Sequence, residues 1–322
     1  MGGAARREEA SMSQPGRVAV VRRFGPPDVI SIENHASPAL RPDQVRVAVR
    51  TGGLNPVDAR RRSGSFGGQV PMLLGTEFAG IVVESQSQAW TPGDEVIGWG
   101  ANGADADLMV TTAHQLHAKP ADLGWALAGG LSGVGQSALT ALNSLDLAPG
   151  DTILLHGAAG GVGTVLTQLA VRRGLSVLGT ASAANQAHLR DLGATPVVYG
   201  DGLAGRVTAA AGGAQIAASI DLAGSADAGD LATQIVAAGG AAITLVPETM
   251  MSHDIPLVRV QHSSAQLAEL LGAIADGTLI LPVETMPFTE IVEAHRRLDA
   301  KHATGKLVLD LADNPHLPLA TQ

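Results

Sequence analysis

One stretch constrains this chain more than any other: Thr152 to Gly179, where an apolar run, a glycine loop, a helical run and a second apolar run follow in order. The first run, Thr152 to His156, reads as a buried strand, and Val162 to Arg173 as a helix. The second strand runs from Ser176 to Gly179. The loop between them is His156-Gly157-Ala158-Ala159-Gly160-Gly161-Val162-Gly163. Three of its positions have separate physical tasks. Ala158 makes the tight turn out of the strand. Gly160 has no Cβ, so a ligand can approach its backbone. Gly163 lets the helix pack close to the strand. The helix then points unpaired N–H groups and the positive end of its dipole at whatever enters, which suits a pyrophosphate. A bare structural turn needs none of these features together, so the loop points to a bound dinucleotide.

The end of the second strand discriminates between nicotinamide cofactors. An Asp or Glu there accepts from a ribose 2′-hydroxyl. This chain has Gly179-Thr180-Ala181-Ser182-Ala183-Ala184-Asn185-Gln186, with no acid to repel a 2′-phosphate. Thr180 and Ser182 fall beside the ribose in this reading, and NADPH is favoured. Ser182 either donates to the phosphate or caps the helix beginning near Asn185.

Further strand and helix alternation follows. A helix over 185–192 leads to a strand over 196–199. A strand over 216–222, a helix over 227–236 and a strand over 241–246 come next. This is the pattern of a doubly wound parallel sheet with helices on both faces, the Rossmann type. Before residue 120 the rhythm differs: short strands over 17–22, 45–49, 79–84, 95–98 and 107–110, with Gly/Pro turns and a glycine-rich stretch over 52–68, describe a small β-rich domain. A helix over 137–145 links the two halves. The tail holds a helix over 265–276, a strand over 279–283, a helix over 289–298 and a strand over 305–311. With 322 residues, at about 100–200 residues per domain, two domains are expected.

Composition removes several functions. The formal charge is −9 and aromatics are 2% of residues. Neither the basic footprint nor the stacking platforms of a nucleic-acid binder are present. No apolar run reaches the ~18 residues of a membrane span. The opening residues 1–15 mix charges and carry no apolar core, so they read as a frayed leader rather than a signal peptide; the expected location is the cytoplasm. Cysteine is absent, which removes disulfides, thiolate nucleophiles and Cys-ligated zinc.

Four segments carry a family resemblance: Gly53-Leu54-Asn55-Pro56-Val57-Asp58, Pro71 to Gly80 (PMLLGTEFAG), the glycine loop, and Gly305-Lys306-Leu307-Val308-Leu309. In order and spacing the chain resembles the medium-chain dehydrogenase/reductase superfamily, in its zinc-independent quinone oxidoreductase branch. The resemblance implies an α/β fold in which a GroES-like β domain is joined to a Rossmann domain, with the active site in the cleft and a homodimer as the assembly. It sets the boundaries at 1–133 for the GroES-like part, 134–262 for the Rossmann NADP-binding domain, and 263–322 for a segment completing the first. Zinc-dependent relatives place a histidine before Glu77; here the residue is Thr76, so no metal is expected. Without a Lewis acid, quinones and α,β-unsaturated carbonyls suit the chemistry better than plain ketones, because hydrogen-bond donors can stabilise charge spread onto the carbonyl oxygen.

The resemblance also assigns site residues. Asn55 is the asparagine beside the nicotinamide, donating to a substrate carbonyl or orienting the ring; its alternative is a turn residue of Asn-Pro. Asp58 acts in catalysis or fixes its loop. Arg60 stands where many relatives have a tyrosine, and it and Arg62 are either site charges or solvated ones. Ser137 lies near the nicotinamide or in the first turn of its helix. Gly157, Ala158, Ala159, Gly160, Gly161, Val162 and Gly163 cradle the phosphates, and Leu222, Ala223 and Val246 pass the cofactor through backbone groups. Lys306 contacts the cofactor or lies on the surface. Glu77 is expected to be an ion-pair partner. Two alternatives to a quinone or enone reductase stay open: an enoyl-thioester or secondary-metabolite enoyl reductase, and a non-catalytic NADPH-binding structural or redox-sensing protein.

Overall fold

The computed structural model describes residues 15–100, 102–300 and 305–318. The leader expected over 1–15 lies, except for Pro15, outside the described residues. The chain forms two compact units, one of residues 1–133 and 283–322 and one of residues 134–282.

The first unit opens with β1 (Pro15–Val21), β2 (Ile30–Ala36), β3 (Gln44–Gly53), α1 (Pro56–Ser63), β4 (Met72–Leu73), β5 (Glu77–Ser85), β6 (Glu95–Trp99), β7 (Leu108–Thr112) and β8 (Leu116–Ala118). Helix α1 falls inside the glycine-rich stretch read from sequence as loop. Pro56 supplies the preset φ of a first helical turn, and Gly64, at φ +86°, closes the other end. Helix α2 (Trp125–Asn143) begins well before the expected residue 137. Its glycines concealed it, since each weakens helix propensity by about 1 kcal/mol relative to Ala. They are there for clearance: a Cβ on Gly129 would lie 2.3 Å from Thr51 Oγ1, and one on Gly130 2.7 Å from Val308.

The second unit is a βα alternation: β9 (Thr152–His156), α3 (Gly161–Arg172), β10 (Ser176–Ala181), α4 (Gln186–Asp191), β11 (Thr195–Val198), α5 (Leu203–Ala211), β12 (Ile216–Asp221), α6 (Ala226–Ala237), β13 (Ala241–Thr244), α7 (Pro247–His253) and α8 (Ser264–Ala275). The strands form one sheet in the order β11-β10-β9-β12-β13, and every pairing is parallel. Its core includes Leu154, Leu178, Val197, Val207, Leu231 and Ile235. The chain then returns to the first unit with β14 (Val283–Pro287), α9 (Ile291–Ala300) and β15 (Lys306–Asp310).

Two expectations for the tail are corrected. Residues 263–282 belong to the second unit: Gly135 of α2 is packed directly under Leu270 of α8, and Gln168 of α3 both donates to and accepts from the backbone of Ile280. The strand expected over 279–283 does not form there. Leu279 N–H is spent on Ala273 O and Ile280 N–H on Gln168, so this backbone has no ladder to join.

In the first unit, β15 pairs in parallel with β14 and antiparallel with β3, and the sheet continues through β5, β6 and β8. The register sets Val308 against Gly53 and Glu77 against Trp99. Phe78, fully buried, occupies the space left by Gly98. The GroES-like and Rossmann expectations are met, each within its own unit.

Candidate functional site

Two residue clusters hold the expected site residues, one in each unit. In the first unit β3 ends at Gly53, and Leu54 N–H donates to Leu307 O at 3.0 Å. That bond brings the start of β15 beside Asn55. Lys306 is 3% exposed, and its Nζ donates to Leu54 O at 2.7 Å and Asn55 Oδ1 at 2.6 Å. It also lies 2.7 Å from Glu77 Oε1. The surface alternative for Lys306 is therefore excluded.

Glu77, at the first position of β5, is the ion-pair partner its sequence context suggested. Its Oε1 also accepts from Asn55 Nδ2 at 2.8 Å, and its Oε2 from Gly133 N–H at 2.6 Å. These partners fix how the Asn55 amide sits: oxygen toward the ammonium, nitrogen toward the carboxylate. The remaining contacts of Nδ2, to Gly53 O and Thr76 Oγ1, are both long at 3.4 Å. One amide N–H is thus firmly held and the other only weakly. The turn-residue alternative for Asn55 does not describe a side chain tied to a buried ion pair.

Asp58 is fully buried one turn into α1. Its Oδ2 accepts the Asn55 backbone N–H at 2.8 Å, and its Oδ1 has no hydrogen-bond partner among the described residues. Burial pushes its carboxyl up to about 7, opposed by the Asn55 N–H and by Lys306. Arg60 lies half-buried on the same helix. Arg62 is no solvated charge: it is 3% exposed and donates to Gly25 O and to Asp299 Oδ2, with His295 Nδ1 at 3.1 Å. Sequence reasoning passed over Asp105, buried with both carboxylate oxygens unpartnered, and Gly53 and Gly133. A Cβ on either glycine would lie 2.6 Å from Glu77 Oε1. Gly53 stands in a segment that carries the resemblance, but nothing in the local sequence marks its role or those of Asp105 and Gly133, since only the folded arrangement brings them to Glu77 and Asp58.

In the second unit the strand order reverses direction between β9 and β12, and the glycine loop leaves the carboxyl end of β9. Open parallel sheets bind ligands at that crevice. Gly157 has φ +74°, and its N–H meets Thr180 Oγ1 at 3.3 Å, while Ala158 N–H donates to Thr180 O at 3.0 Å. Thr180 thus shapes the loop from β10. The glycines divide as their sequence roles require. A Cβ on Gly163 would lie 2.4 Å from Gly157 O and 2.6 Å from Ala158 Cα; one on Gly160 would meet nothing nearer than Gly157 O at 3.5 Å. Gly163 therefore serves helix packing, and Gly160 leaves clear space in front of the N-terminus of α3. The open backbone at Gly160 and the helix N-terminus that follows it fit a pyrophosphate.

Ser182 precedes Ala183–Asn185 and its side chain makes no capping hydrogen bond. Gln186 Nε2 donates to its carbonyl at 3.0 Å. Tyr199, not singled out above as a cofactor contact, has its N–H on Ala181 O at 3.3 Å and a side chain 55% exposed. It therefore stands at the same strand ends as Ser182. Ser137 is half-buried within α2 rather than in its first turn.

Asp221, also not singled out from sequence, organises the remaining loops. Its Oδ1 accepts from Ala223 and Gly224 N–H, each at 2.9 Å. Its Oδ2 accepts from Thr244 Oγ1 at 2.8 Å and Thr249 Oγ1 at 2.6 Å. Leu222 N–H donates to His156 O, and Val246 N–H to Thr244 Oγ1. Leu222, Ala223 and Val246 are thereby held at the carboxyl ends of β12 and β13, on the same edge of the sheet as the glycine loop.

Comparison with known proteins agrees with this arrangement. Residues 41–120 match the alcohol dehydrogenase GroES-like domain, and residues 192–309 match a family described as zinc-binding dehydrogenase. The chain is 28% identical over 323 residues to the NADPH-dependent alkenal/one oxidoreductase of Arabidopsis thaliana chloroplasts, covering 94% of this chain and 81% of that protein. It is 31% identical over 306 residues to the pikromycin polyketide synthase component PikAII of Streptomyces venezuelae, covering 87% of this chain but 8% of that much longer protein. The solved quinone oxidoreductase of Coxiella burnetii superposes with a TM-score of 0.82 at 27% identity, over 92% of this chain and all of that one. With its motifs, domains and relatives in agreement, the chain belongs to the medium-chain dehydrogenase/reductase superfamily, in the quinone oxidoreductase branch.

Proposed function

We propose that the protein is an NADPH-dependent oxidoreductase that reduces quinones or α,β-unsaturated carbonyl compounds without a metal. The observation that carries this reading is the pinned Asn55 amide. Its oxygen is committed to Lys306 and one N–H to Glu77, so the second N–H has a fixed direction. Such a preorganised donor stabilises charge developing on an acceptor oxygen, or holds a carboxamide, without reorganising during the reaction. When bound, the cofactor supplies hydride to the electron-poor carbon of the acceptor and leaves as NADP⁺; a solvent proton completes the two-electron reduction.

Cofactor binding falls to Gly157, Ala158, Ala159, Gly160, Gly161, Val162 and Gly163 for the pyrophosphate. Thr180 and Ser182 serve the adenosine ribose and its phosphate, with Tyr199 exposed beside them. Leu222, Ala223, Val246 and Ser137 serve the remainder. Asp58 and Lys306 act by holding Asn55. Arg60 contributes charge at the loop. The metal-free reading rests on the donor set: no cysteine exists in the sequence, Thr76 stands before Glu77, and both oxygens of Glu77 are engaged internally. Among the described residues no three His, Cys, Asp or Glu gather as a metal group. We further infer a cytoplasmic homodimer, in keeping with the family; among the described residues no helix is long and apolar enough to cross a membrane.

A second reading, an enoyl-thioester reductase, is favoured by the similarity to a polyketide synthase component. Following nicotinamide absorbance against a panel of quinones, enones and enoyl thioesters, with and without a chelator, separates the readings. Turnover of quinones or enones, unaffected by the chelator, is the expected result. Preference for enoyl thioesters supports the second reading, tight NADPH binding without turnover supports a non-catalytic protein, and loss of activity on chelation overturns the metal-free claim.

A further inference from the structure

Asp105 lies on the segment between β6 and β7, fastened through its backbone. Its N–H donates to Leu74 O at 3.0 Å, and its carbonyl accepts from Ala19 N–H at 2.9 Å. The side chain is completely buried and set against glycine backbone: a Cβ on Gly75 would lie 2.6 Å from Oδ1, and one on Gly52 3.2 Å. Among the described residues neither carboxyl oxygen has a hydrogen-bond partner, and neither has Asp58 Oδ1. The contrast with Asp107 is informative. That carboxyl is equally buried but is met by Arg17 at 2.9 Å.

The charged groups facing Asp105 are Asp58, Glu77, Lys306 and Arg61. An ammonium has three protons to donate, and Lys306 has spent its three on Leu54 O, Asn55 Oδ1 and Glu77 Oε1. No donor remains there for three unpartnered carboxyl oxygens. The positive charges of Lys306 and Arg61 are outweighed by burial and by the charge of Asp58, and an ionised carboxylate buried without donors takes up a proton instead.

We propose that Asp105 is a neutral carboxylic acid in the working enzyme and, in that form, a positioning residue for Asn55. As a neutral group it adds no second negative charge beside Asp58, so Asp58 can remain the acceptor that fixes the Asn55 backbone, and the Lys306–Glu77 pair stays undisturbed. The direction of titration agrees: burial, and then the charge of Asp58, pushes Asp105 well above the usual carboxylate range. The positioning role rests on the reading that Asn55 orients the acceptor or the cofactor; the neutral acid does not.

The test uses Asp105→Asn, which is neutral at every pH and keeps the shape, beside Asp105→Ala. At a pH above about 7, where Asp58 is ionised, a carboxylic-acid carbonyl band is expected in the infrared spectrum of the wild type, absent from the spectrum of Asp105→Asn. For turnover of one fixed quinone, Asp105→Ala is expected to lose about tenfold in kcat through misplacement of Asn55, with NADPH affinity kept. Asp105→Asn restores the neutral-pH rate and extends activity to higher pH than the wild type tolerates. Absence of the acid band in the wild type overturns the neutral acid, and this is read without substrate and without requiring any variant to fold. A band with an Asp105→Asn pH profile that superimposes on that of the wild type, or with no rescue by Asn over Ala, overturns the positioning role. If the wild type turns over no quinone or enone, the functional reading fails and the positioning role falls with it, while the band still decides the state of Asp105.

Discussion

Lys306 Nζ and Glu77 Oε1 stand 2.7 Å apart with both side chains almost entirely buried, and the Asn55 amide is clamped between them. The pair joins the last strand of the chain to the middle of the sheet and aims the amide at the same time. Removing one member leaves a buried charge uncompensated, which typically destabilises by about 3–5 kcal/mol. Lys306→Met is expected to lower the urea midpoint accordingly, and adding Glu77→Gln to recover most of the loss. Equal midpoints for wild type and Lys306→Met would show that the pair is not a stabilising contact.

Asn55→Ala removes the amide but neither charge. Losing one preorganised donor costs about 10²–10³ in kcat, and kcat should fall within that range while NADPH still binds through the glycine loop. Stopped-flow reduction of a quinone, with NADPH affinity measured separately by fluorescence, distinguishes the two effects. Equal losses in affinity and rate would reassign Asn55 to cofactor binding.

The glycine loop offers two substitutions with opposite outcomes. Gly163→Ala drives a methyl group into the backbone of Gly157 and Ala158, so the melting temperature drops. Gly160→Ala meets only an ordinary van der Waals contact with Gly157 O at 3.5 Å, so the fold is kept while a methyl group obstructs the phosphates and NADPH affinity falls about tenfold or more. Isothermal titration and thermal melts on the two variants check the pairing. A Gly160→Ala protein that binds NADPH normally would move the cofactor elsewhere.

Ser182→Ala tests cofactor choice. A hydroxyl donating to a phosphate dianion is worth about 1.5–3 kcal/mol, so NADPH affinity should weaken by about tenfold or more while NADH affinity is unchanged. Parallel titrations with both nucleotides read the difference directly.

Burial holds His156 down to about 4 and His295 to about 3, where the charge of Arg62 adds to the effect. Both rings are neutral in the fold, whereas the unfolded chain takes up these protons near pH ~6.5. The contribution of these two rings is therefore complete above that pH and declines as the pH falls from ~6.5 toward ~4, because at these two positions only the unfolded state gains protons in that window; the buried carboxyls of Asp58 and Asp105, raised by burial, act in the opposite sense over the same range. Urea midpoints measured across it for wild type and His156→Gln isolate the effect: as the pH falls, the variant should gain on the wild type, and parallel midpoints would show that His156 is not held neutral by the fold.

The second unit was largely legible because its pattern is local. A buried strand such as Thr152–His156 is continuously apolar, and Gly157 to Gly163 carry backbone demands that almost no other residue type meets. The first unit was harder to read. Helix α2 was foreshortened because Gly129, Gly130 and Gly133 are chosen for what presses on them from distant strands, against their own helix propensity. Helix α1 was hidden among glycines that bound it. Asn55 and Lys306 could be named from resemblance, but their junction through Glu77 is a tertiary fact. Asp105 carried no sequence signal: an acid beside glycine and alanine looks like an exposed turn until its surroundings are known.

The placement of β15 between β14 and β3 has a consequence for biosynthesis. Residues 134–282 are one uninterrupted stretch, complete as soon as the ribosome has made them. The unit around Glu77 must wait until position 306 has been translated, since its counter-ion arrives there. Until then the nascent amino-terminal sheet exposes the unpaired flank of β3 and an unneutralised carboxylate, so it is this half, although synthesised first, that calls for protection by a chaperone.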